Sequence, residues 1–151
     1  ADFKTPLTVT TVNLASGQVE YHQDGPLFDI LIASASIPFL FTPVDIKGEP
    51  HVDGGLRDNL PIEPLIGKSE KIVAVNVNPI PPMPEIKNSI EYATRVFEVN
   101  IDKRVEEQKG KCDKLIEPEG LEKFNILDQR QAQDIFDLGY EYAKKRVELN
   151  V

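Results

Sequence analysis

The chain alternates short apolar stretches of strand type with longer stretches of helical periodicity. Leu7 to Asn13 is rich in Val and Thr and predicts a strand, and a turn at 15–18 joins it to a second short strand, Val19 to His22. Phe28 to Ala35 is compact and apolar. It predicts a short buried helix that ends before Pro38, because the residue before a proline avoids the helical region. The N-terminal part therefore predicts a hairpin followed by a helix.

The middle of the chain predicts three more elements. Val44 to Ile46 and His51 to Val52 flank a turn and predict a second short hairpin. Leu60 to Ile66 has helical spacing, with Pro61 near its start, and predicts a short helix. Lys71 to Asn78 is nearly continuous in Ile, Val and Ala. It therefore predicts a strand that is buried on both faces, as in a parallel sheet flanked by helices.

Two longer helices complete the pattern. From Glu85 to about Lys109 the apolar residues recur every three or four positions, which predicts one amphipathic helix. Its apolar stripe consists of Ile86, Ile90, Ala93, Phe97, Ile101 and Val105. Cys112 to Ile116 predicts another strand, and Asp128 is expected to cap a last helix whose stripe runs to Val147. Strands that alternate with helices indicate an α/β fold.

Composition and charge narrow the range of partners. The 151 residues suit one domain, and 40% hydrophobic with 28% charged residues allows a packed core. With 17 basic and 25 acidic residues the formal charge is -8. This charge argues against nucleic acid as a partner, because phosphate binding needs clustered Lys and Arg. It also argues against electrostatic docking on anionic lipid, while peripheral membrane contact through apolar groups stays open.

Cysteine content and hydropathy bear on the compartment. Cys112 is the only cysteine, so no internal disulfide can form, and a reducing, cytoplasmic location is expected. No apolar run has the length that spans a bilayer, and no signal peptide is visible in the first residues. A secreted or membrane-associated protein is the alternative.

The stretch 51–61, "HVDGGLRDNLP", contains the acidic residue with the clearest chemical setting. Asp-Gly between strands is a common hairpin signal, in which Asp53 would bond its own backbone. The residues that follow have helical spacing and two prolines, so Asp53 is instead expected where a strand leads into a loop and a helix. Catalytic groups gather at such strand ends in α/β sheets. Gly54 and Gly55 allow positive φ and close approach of the backbone to another group. Spacing alone leaves turn and site equally open.

A longer block resembles a known family. "ASASIPFLFTPV" at 33–44, followed by "HVDGGLRDNLP", is similar to the Ala-Ser-x-x-Ile-Pro, aromatic-Pro-Val and Asp-Gly-Gly segments of the patatin-like phospholipases. The resemblance runs in matching order from about Leu7 to Val147, and its specific part is Ala33 to Pro61. It implies a three-layer α/β/α fold of which residues 1–151 form only the C-terminal half of a single domain.

The resemblance also implies a chemistry. It makes Asp53 the base of a Ser-Asp dyad, with Gly54 and Gly55 as supporting motif residues, in the hydrolysis of a lipid carboxylic ester without a cofactor. A free Asp, with a pKa of about 3.9, is a weak base for a hydroxyl, so the dyad requires burial or a direct bond to raise its basicity.

The family's nucleophile lies in Gly-x-Ser-x-Gly, and that motif does not occur in this sequence. The serines that lack a glycine frame are Ser16, Ser34, Ser36, Ser69 and Ser89. We therefore expect the serine upstream of Ala1, an inactive isolated chain, and an uncovered apolar surface that binds the N-terminal half or a second copy. The alternatives are a non-catalytic, degenerate binding or regulatory module, and a chance turn in an unrelated α/β protein.

The remaining candidates have weaker signals. His22 and His51 are too few for a familiar zinc site by themselves, so no metal is predicted, and His51 is expected on the surface of an edge strand. The segment 39–41, "FLF", is expected in the buried core, where it could also line an acyl pocket. Asp58 and Asn59 are expected to bond the loop backbone and cap the following helix.

Overall fold

A computed structural model describes residues 4–79, 85–124 and 129–146 of the chain. The elements in chain order are β1 (Val9–Asn13), β2 (Val19–His22), α1 (Leu27–Ser34), β3 (Val44–Ile46), β4 (Glu49–Asp53), β5 (Val73–Val75), α2 (Ser89–Lys109), β6 (Lys114–Ile116) and α3 (Ala132–Arg146). Short 3-10 turns occur at Gly54–Leu56, Glu63–Leu65, Leu121–Lys123 and Gln129–Gln131. The mixture of strands and helices confirms the α/β class, and the three-layer arrangement stays a prediction.

Four strands form an antiparallel sheet in the order β2-β1-β4-β3. The two predicted hairpins are therefore confirmed, and strand β4 joins them by pairing with β1. In this register Thr11 lies opposite both Glu20 and Asp53, while Asn13 lies opposite His51. Directly opposed residues share a face of the sheet, so these five side chains lie on one face.

Helix α1 packs on that face of the sheet and forms the first core. The core consists of Val9, Ile30, Ala33 and Ile46, with Val44 packed against it. The helix starts after Pro26, whose carbonyl accepts the Ile30 amide hydrogen, and it ends ahead of Pro38, as the sequence predicts.

The second core lies between α2 and the parallel pair β5–β6. It is made of Leu60, Ile62, Ile72, Ala74 and Val105. Parallel pairing is as predicted, but burial of β5 on both faces is wrong. Ala74 is buried whereas Val73 and Val75 are exposed, because the described residues cover one face of this two-stranded sheet only.

Other boundaries differ from the sequence pattern. The helix predicted over Leu60 to Ile66 is only a 3-10 turn at Glu63–Leu65, since Pro64 lies within it and offers no amide donor. Helix α2 begins at Ser89, after Asn88 accepts the Glu91 amide hydrogen at 3.0 Å in a typical cap.

The C-terminal helix is only partly tested by the structure. The predicted cap Asp128 and the last stripe residue Val147 lie outside the described residues. Within α3 the stripe residue Phe136 is 64% exposed and stacks on Tyr140, so it has no core contact among the described residues. In the described part of the chain, no helix combines the length and apolar character needed to cross a membrane.

The second core predicts that two valines of α2 contribute differently to the free energy of unfolding. Val105 is buried and Val99 is half exposed on the same helix. We expect Val105→Ala to lower the free energy of unfolding by about 2 kcal/mol, since two buried methyl groups and a cavity are involved. Val99→Ala should change it by less than about 0.5 kcal/mol. Urea unfolding of both variants measures this, and equal losses would mean that α2 does not pack on β5–β6.

Candidate functional site

Asp53 is the last residue of β4, one of the two central strands of the four-stranded sheet. Its backbone is held from two sides. It pairs with Thr11 of β1, and its amide donates to the Ser36 carbonyl at 3.1 Å, in the loop that follows α1. A 3-10 turn, not a strand, follows Asp53, so no hairpin forms at Asp53-Gly54 and the expected strand-end position is confirmed. The other part of the turn interpretation, a bond from the Asp53 side chain to its local backbone, is also confirmed.

The Asp53 side chain has one fixed oxygen and one free oxygen. Oδ1 accepts a hydrogen bond from the Gly55 amide at 2.7 Å. No described residue donates to Oδ2. The side chain is half-buried, and this burial raises the pKa of Asp53 above its usual value, while the Gly55 hydrogen bond lowers it by a smaller amount. The carboxylate is therefore oriented and more basic than an exposed Asp.

Both glycines after Asp53 are closely packed, Gly54 against backbone and Gly55 against side chains. A Cβ on Gly54 would lie 2.5 Å from the Thr10 carbonyl oxygen, and one on Gly55 would lie 2.7 Å from Asn59 Oδ1. Neither glycine has a positive φ, so that part of the prediction is wrong while the close approach is confirmed. Gly54 lets the chain cross against β1, which directs the next amide back onto Asp53.

No described serine hydroxyl bonds to the Asp53 carboxylate. The backbone of Ser36 touches Asp53, but its hydroxyl donates to the Ile32 carbonyl at 2.8 Å inside the helical turn. The Ser16 hydroxyl accepts from the Gln18 amide at 3.2 Å in the first hairpin. Both hydroxyls therefore have structural partners away from the carboxylate.

Asp58 has a different role from the expected helix cap. Its side chain is fully buried, accepts a hydrogen bond from the Tyr21 hydroxyl and lies 3.9 Å from Arg104 Nε. Burial and the Asp58 carboxylate together raise the pKa of Tyr21. The Asp58 amide also donates to the Gly54 carbonyl at 2.9 Å. These contacts fasten the Asp-Gly-Gly loop to β2 and α2, and the sequence contains no signal that would pair Tyr21 or Arg104 with it.

Asn59 likewise stays in the loop rather than capping a helix. Its side-chain oxygen lies beside Gly55, 2.7 Å from the position that a Cβ would occupy. It therefore helps to shape the turn that aims the Gly55 amide at Asp53.

His51 is buried in the sheet, with 1% of its surface exposed. The expected surface position is wrong because β1 covers the other side of β4 and makes it a central strand. The Thr11 hydroxyl lies 3.0 Å from His51 Nδ1 and 2.7 Å from His22 Nε2, so it bridges the two rings. Burial lowers the pKa of His22 against the opposing effect of Glu20.

The segment 39–41 is exposed and not in the core. Phe39 is 97% exposed with φ of 72°, and Leu40 and Phe41 are more than half exposed. The amides of Leu40 and Phe41 both donate to the Ile37 carbonyl, and this tight turn directs the side chains outward. Phe28 of α1 is also exposed, and Ser36, just before this segment, accepts the Asp53 amide hydrogen through its carbonyl.

Comparison with known proteins adds independent information. The sequence profile described as "Patatin-like phospholipase" matches residues 2–66, which include Asp53 and both glycines. A lysophospholipase nte1 of Aspergillus niger is 24% identical over 173 aligned positions that cover 97% of this chain. A lysophospholipase NTE1 of Meyerozyma guilliermondii is 24% identical over 94% of it, and an uncharacterized NTE family protein of Mycobacterium bovis is 34% identical over 48%.

The chain is short beside these relatives. It spans 11% of the Aspergillus protein, 12% of the Meyerozyma protein and 21% of the mycobacterial one. The matched range of the profile includes the Asp-Gly-Gly segment at the end of β4. The profile match over residues 2–66 and these relatives support a patatin-like family assignment.

Proposed function

We propose that the protein is a lipid acyl hydrolase in which Asp53 is the general base toward a serine that lies outside residues 1–151. The observation that carries this proposal is the Asp53 carboxylate, which is half-buried, held through Oδ1 by the Gly55 amide and free at Oδ2. The family profile and the lysophospholipases among the relatives support a carboxylic ester of a lipid as the substrate.

In the first half-reaction, Asp53 Oδ2 accepts the serine hydroxyl proton while the serine oxygen attacks the acyl carbon. The ester C–O bond breaks, and the proton passes from Asp53 to the departing alcohol, which leaves an acyl-enzyme. In the second half-reaction, a water molecule gives a proton to Asp53 while the water oxygen attacks the acyl carbon. The serine then leaves with that proton, and the fatty acid is released.

The raised pKa is what makes Asp53 suitable for this task. A base is most effective when its pKa lies near the working pH, and an exposed Asp is too acidic. Burial raises the pKa, while the Gly55 amide keeps the carboxylate in one orientation. The protein therefore obtains basicity from desolvation and geometry from one backbone hydrogen bond.

Exposed apolar side chains support the part of the proposal that places the serine on a segment outside residues 1–151. A serine hydroxyl has to come within about 3 Å of Oδ2 to transfer its proton, so the segment that carries it has to pack against this end of the sheet. Phe39 and Phe41 are exposed on the segment that follows Ser36, whose carbonyl accepts the Asp53 amide hydrogen. We assign these exposed aromatic side chains to a contact with the segment that carries the serine. A second copy of the chain is the alternative partner.

The raised pKa predicts that Asp53→Asn stabilises the fold at neutral pH. Because burial raises the folded-state pKa above 3.8, the ionised carboxylate is less favourable in the folded chain than in the unfolded chain. This destabilisation is complete above the folded-state pKa and disappears as pH falls below the unfolded value. Asn keeps an oxygen for the Gly55 amide, so we expect a higher Tm at neutral pH and a difference that shrinks toward pH 4.

Asp45→Asn is the matched control for that measurement. Asp45 is exposed and its Oδ1 accepts the Gly48 amide at 2.9 Å, so it reproduces the hydrogen bond without the burial. Thermal unfolding of the three proteins across pH compares them directly. A lower Tm for Asp53→Asn at neutral pH, with Asp45→Asn unchanged, would contradict a desolvated carboxylate at position 53.

Ester hydrolysis tests the base role. The natural gene product and the 151-residue chain are assayed side by side with a short p-nitrophenyl ester and a lysophospholipid. We expect turnover by the gene product, a loss in kcat/KM of about 10²- to 10⁴-fold in Asp53→Asn, and little change in Asp45→Asn. The 151-residue chain by itself should neither turn over ester nor react with a fluorophosphonate probe of active serines.

Two results would overturn this assignment. Turnover by the 151-residue chain that survives Asp53→Ala would exclude the Ser-Asp dyad. A gene product that folds but shows no turnover and no probe labelling would favour the non-catalytic binding or regulatory module.

A further inference from the structure

A polar cavity of about 360 Å³ lies on the helix-covered face of the four-stranded sheet, and Asp53 is not among the residues that line it. Strand residues Glu20, His22, Glu49 and His51 line it, together with Ile30 of α1. The acid–base chemistry proposed for Asp53 uses none of these side chains. They nevertheless include both histidines of the chain, brought together from β2 and β4.

Three of these side chains converge. Glu20, His22 and His51 each present one ligand atom, and the three atoms lie within 4.8 Å of one another. The Glu20 Oε2 to His22 Nε2 distance is 3.9 Å. Glu20 and His22 are two residues apart on β2, and His51 comes from β4 on the far side of β1, so pairing of all three strands is needed to assemble the group.

The donor set has a definite chemical preference. Two imidazole nitrogens and one carboxylate oxygen suit Zn²⁺ and similar divalent transition metals, whereas Ca²⁺ and Mg²⁺ prefer oxygen ligands throughout. A three-residue set of this kind leaves a fourth position for water, and here the cavity provides the space.

A second layer of side chains orients these ligands. Asn13 Nδ2 donates to Glu20 Oε1 at 2.9 Å, which leaves Oε2 directed toward His22. Thr11 contacts both rings. Partners of this kind fix ring and carboxylate orientation in metal sites, and they are part of what sets metal affinity.

The Thr11 bridge shows what binding would require. A hydroxyl has one hydrogen, so Thr11 donates to one ring nitrogen and accepts from the N–H of the other. A bound ion needs both facing nitrogens without hydrogen, so one ring has to move its proton to its other nitrogen. Bonds of about 2.0–2.1 Å place tetrahedral ligands roughly 3.4 Å apart, so the side chains have to close by roughly 1 Å.

We propose that Glu20, His22 and His51 bind a divalent transition-metal ion of the Zn²⁺ type. The ion links β2 to β4 across β1 and so stabilises the strand that ends in Asp53. Its role is structural, and it lies outside the acid–base steps proposed for the ester hydrolase.

Titration calorimetry of the tag-free 151-residue chain with Zn²⁺ tests the site. We expect one ion per chain, a Tm that rises with Zn²⁺, and a visible absorption spectrum of the tetrahedral type when Co²⁺ replaces it. His22→Gln and Glu20→Gln should each weaken Zn²⁺ binding by at least about tenfold. Both residues are partly exposed, so these variants are better first tests than changes at buried His51.

Glu49→Gln is the matched control. Glu49 lines the same cavity and is bonded by the same Asn13 amide, but it is not one of the three converging residues. The Glu49→Gln variant therefore loses the same charge as Glu20→Gln but keeps all three proposed ligands. Its Zn²⁺ affinity should stay within about twofold of that of the parent chain. Equal weakening by the two Glu variants, or binding that survives His22→Gln, would overturn the proposal. So would the absence of one-to-one binding in a chain whose circular dichroism shows a normal fold.

Discussion

The pairing of β1 with β4 is the contact on which the rest of this structure depends. Each of these strands forms a hairpin with a neighbour in sequence, and the β1–β4 ladder joins the two hairpins into one sheet. This contact makes β4 a central strand, places Asp53 opposite Thr11 and buries His51. A Cβ at position 54 would strike the Thr10 carbonyl, so Gly54 is required where the chain leaves this ladder. The Asp-Gly-Gly motif therefore serves the packing against β1, apart from the chemistry proposed for its carboxylate.

The β1–β4 ladder and the loop that follows it contain several buried polar side chains. Thr11, Asn13, His51 and Asp58 are among the largest fully buried side chains. Buried polar groups destabilise a fold unless they are hydrogen-bonded, and here they mainly satisfy one another: Thr11 bridges two histidines, Asn13 joins two carboxylates and Asp58 accepts from Tyr21. Replacing such a network by apolar residues is often neutral or stabilising. Its presence around a candidate catalytic strand is therefore better explained by function than by stability.

The loop after Asp53 shows how position and reactivity are divided among different residues. Asp58 is anchored by Tyr21 of β2 and faces Arg104 of α2, and its amide returns to Gly54. Asp53 itself makes only one side-chain hydrogen bond among the described residues, to the Gly55 amide. The contacts of Asp58 thus hold the loop in place. The second carboxylate oxygen of Asp53 has no hydrogen-bond donor among the described residues, so its partial desolvation is not compensated. A partly desolvated carboxylate is a cost to folding and an advantage for proton transfer, and the surrounding network is what allows the fold to tolerate it.

The sequence by itself determined the local elements and the identity of the candidate base. Alternating Val and Thr residues, the glycine turn and Pro38 specify the first hairpin and α1, because these signals act over a few neighbouring residues. The Ala33 to Pro61 block is likewise contiguous, so Asp53, Gly54 and Gly55 could be named from the sequence alone. Only the tertiary structure decided that His51 is buried and that 39–41 is exposed. It also decided which distant side chains meet: Asp58 lies beside Tyr21 and Arg104, and Glu20 lies near the two histidines. These outcomes depend on which strands pair and which surfaces are covered, and pairing between residues about 40 positions apart, such as Thr11 and Asp53, has no periodic signature along the chain.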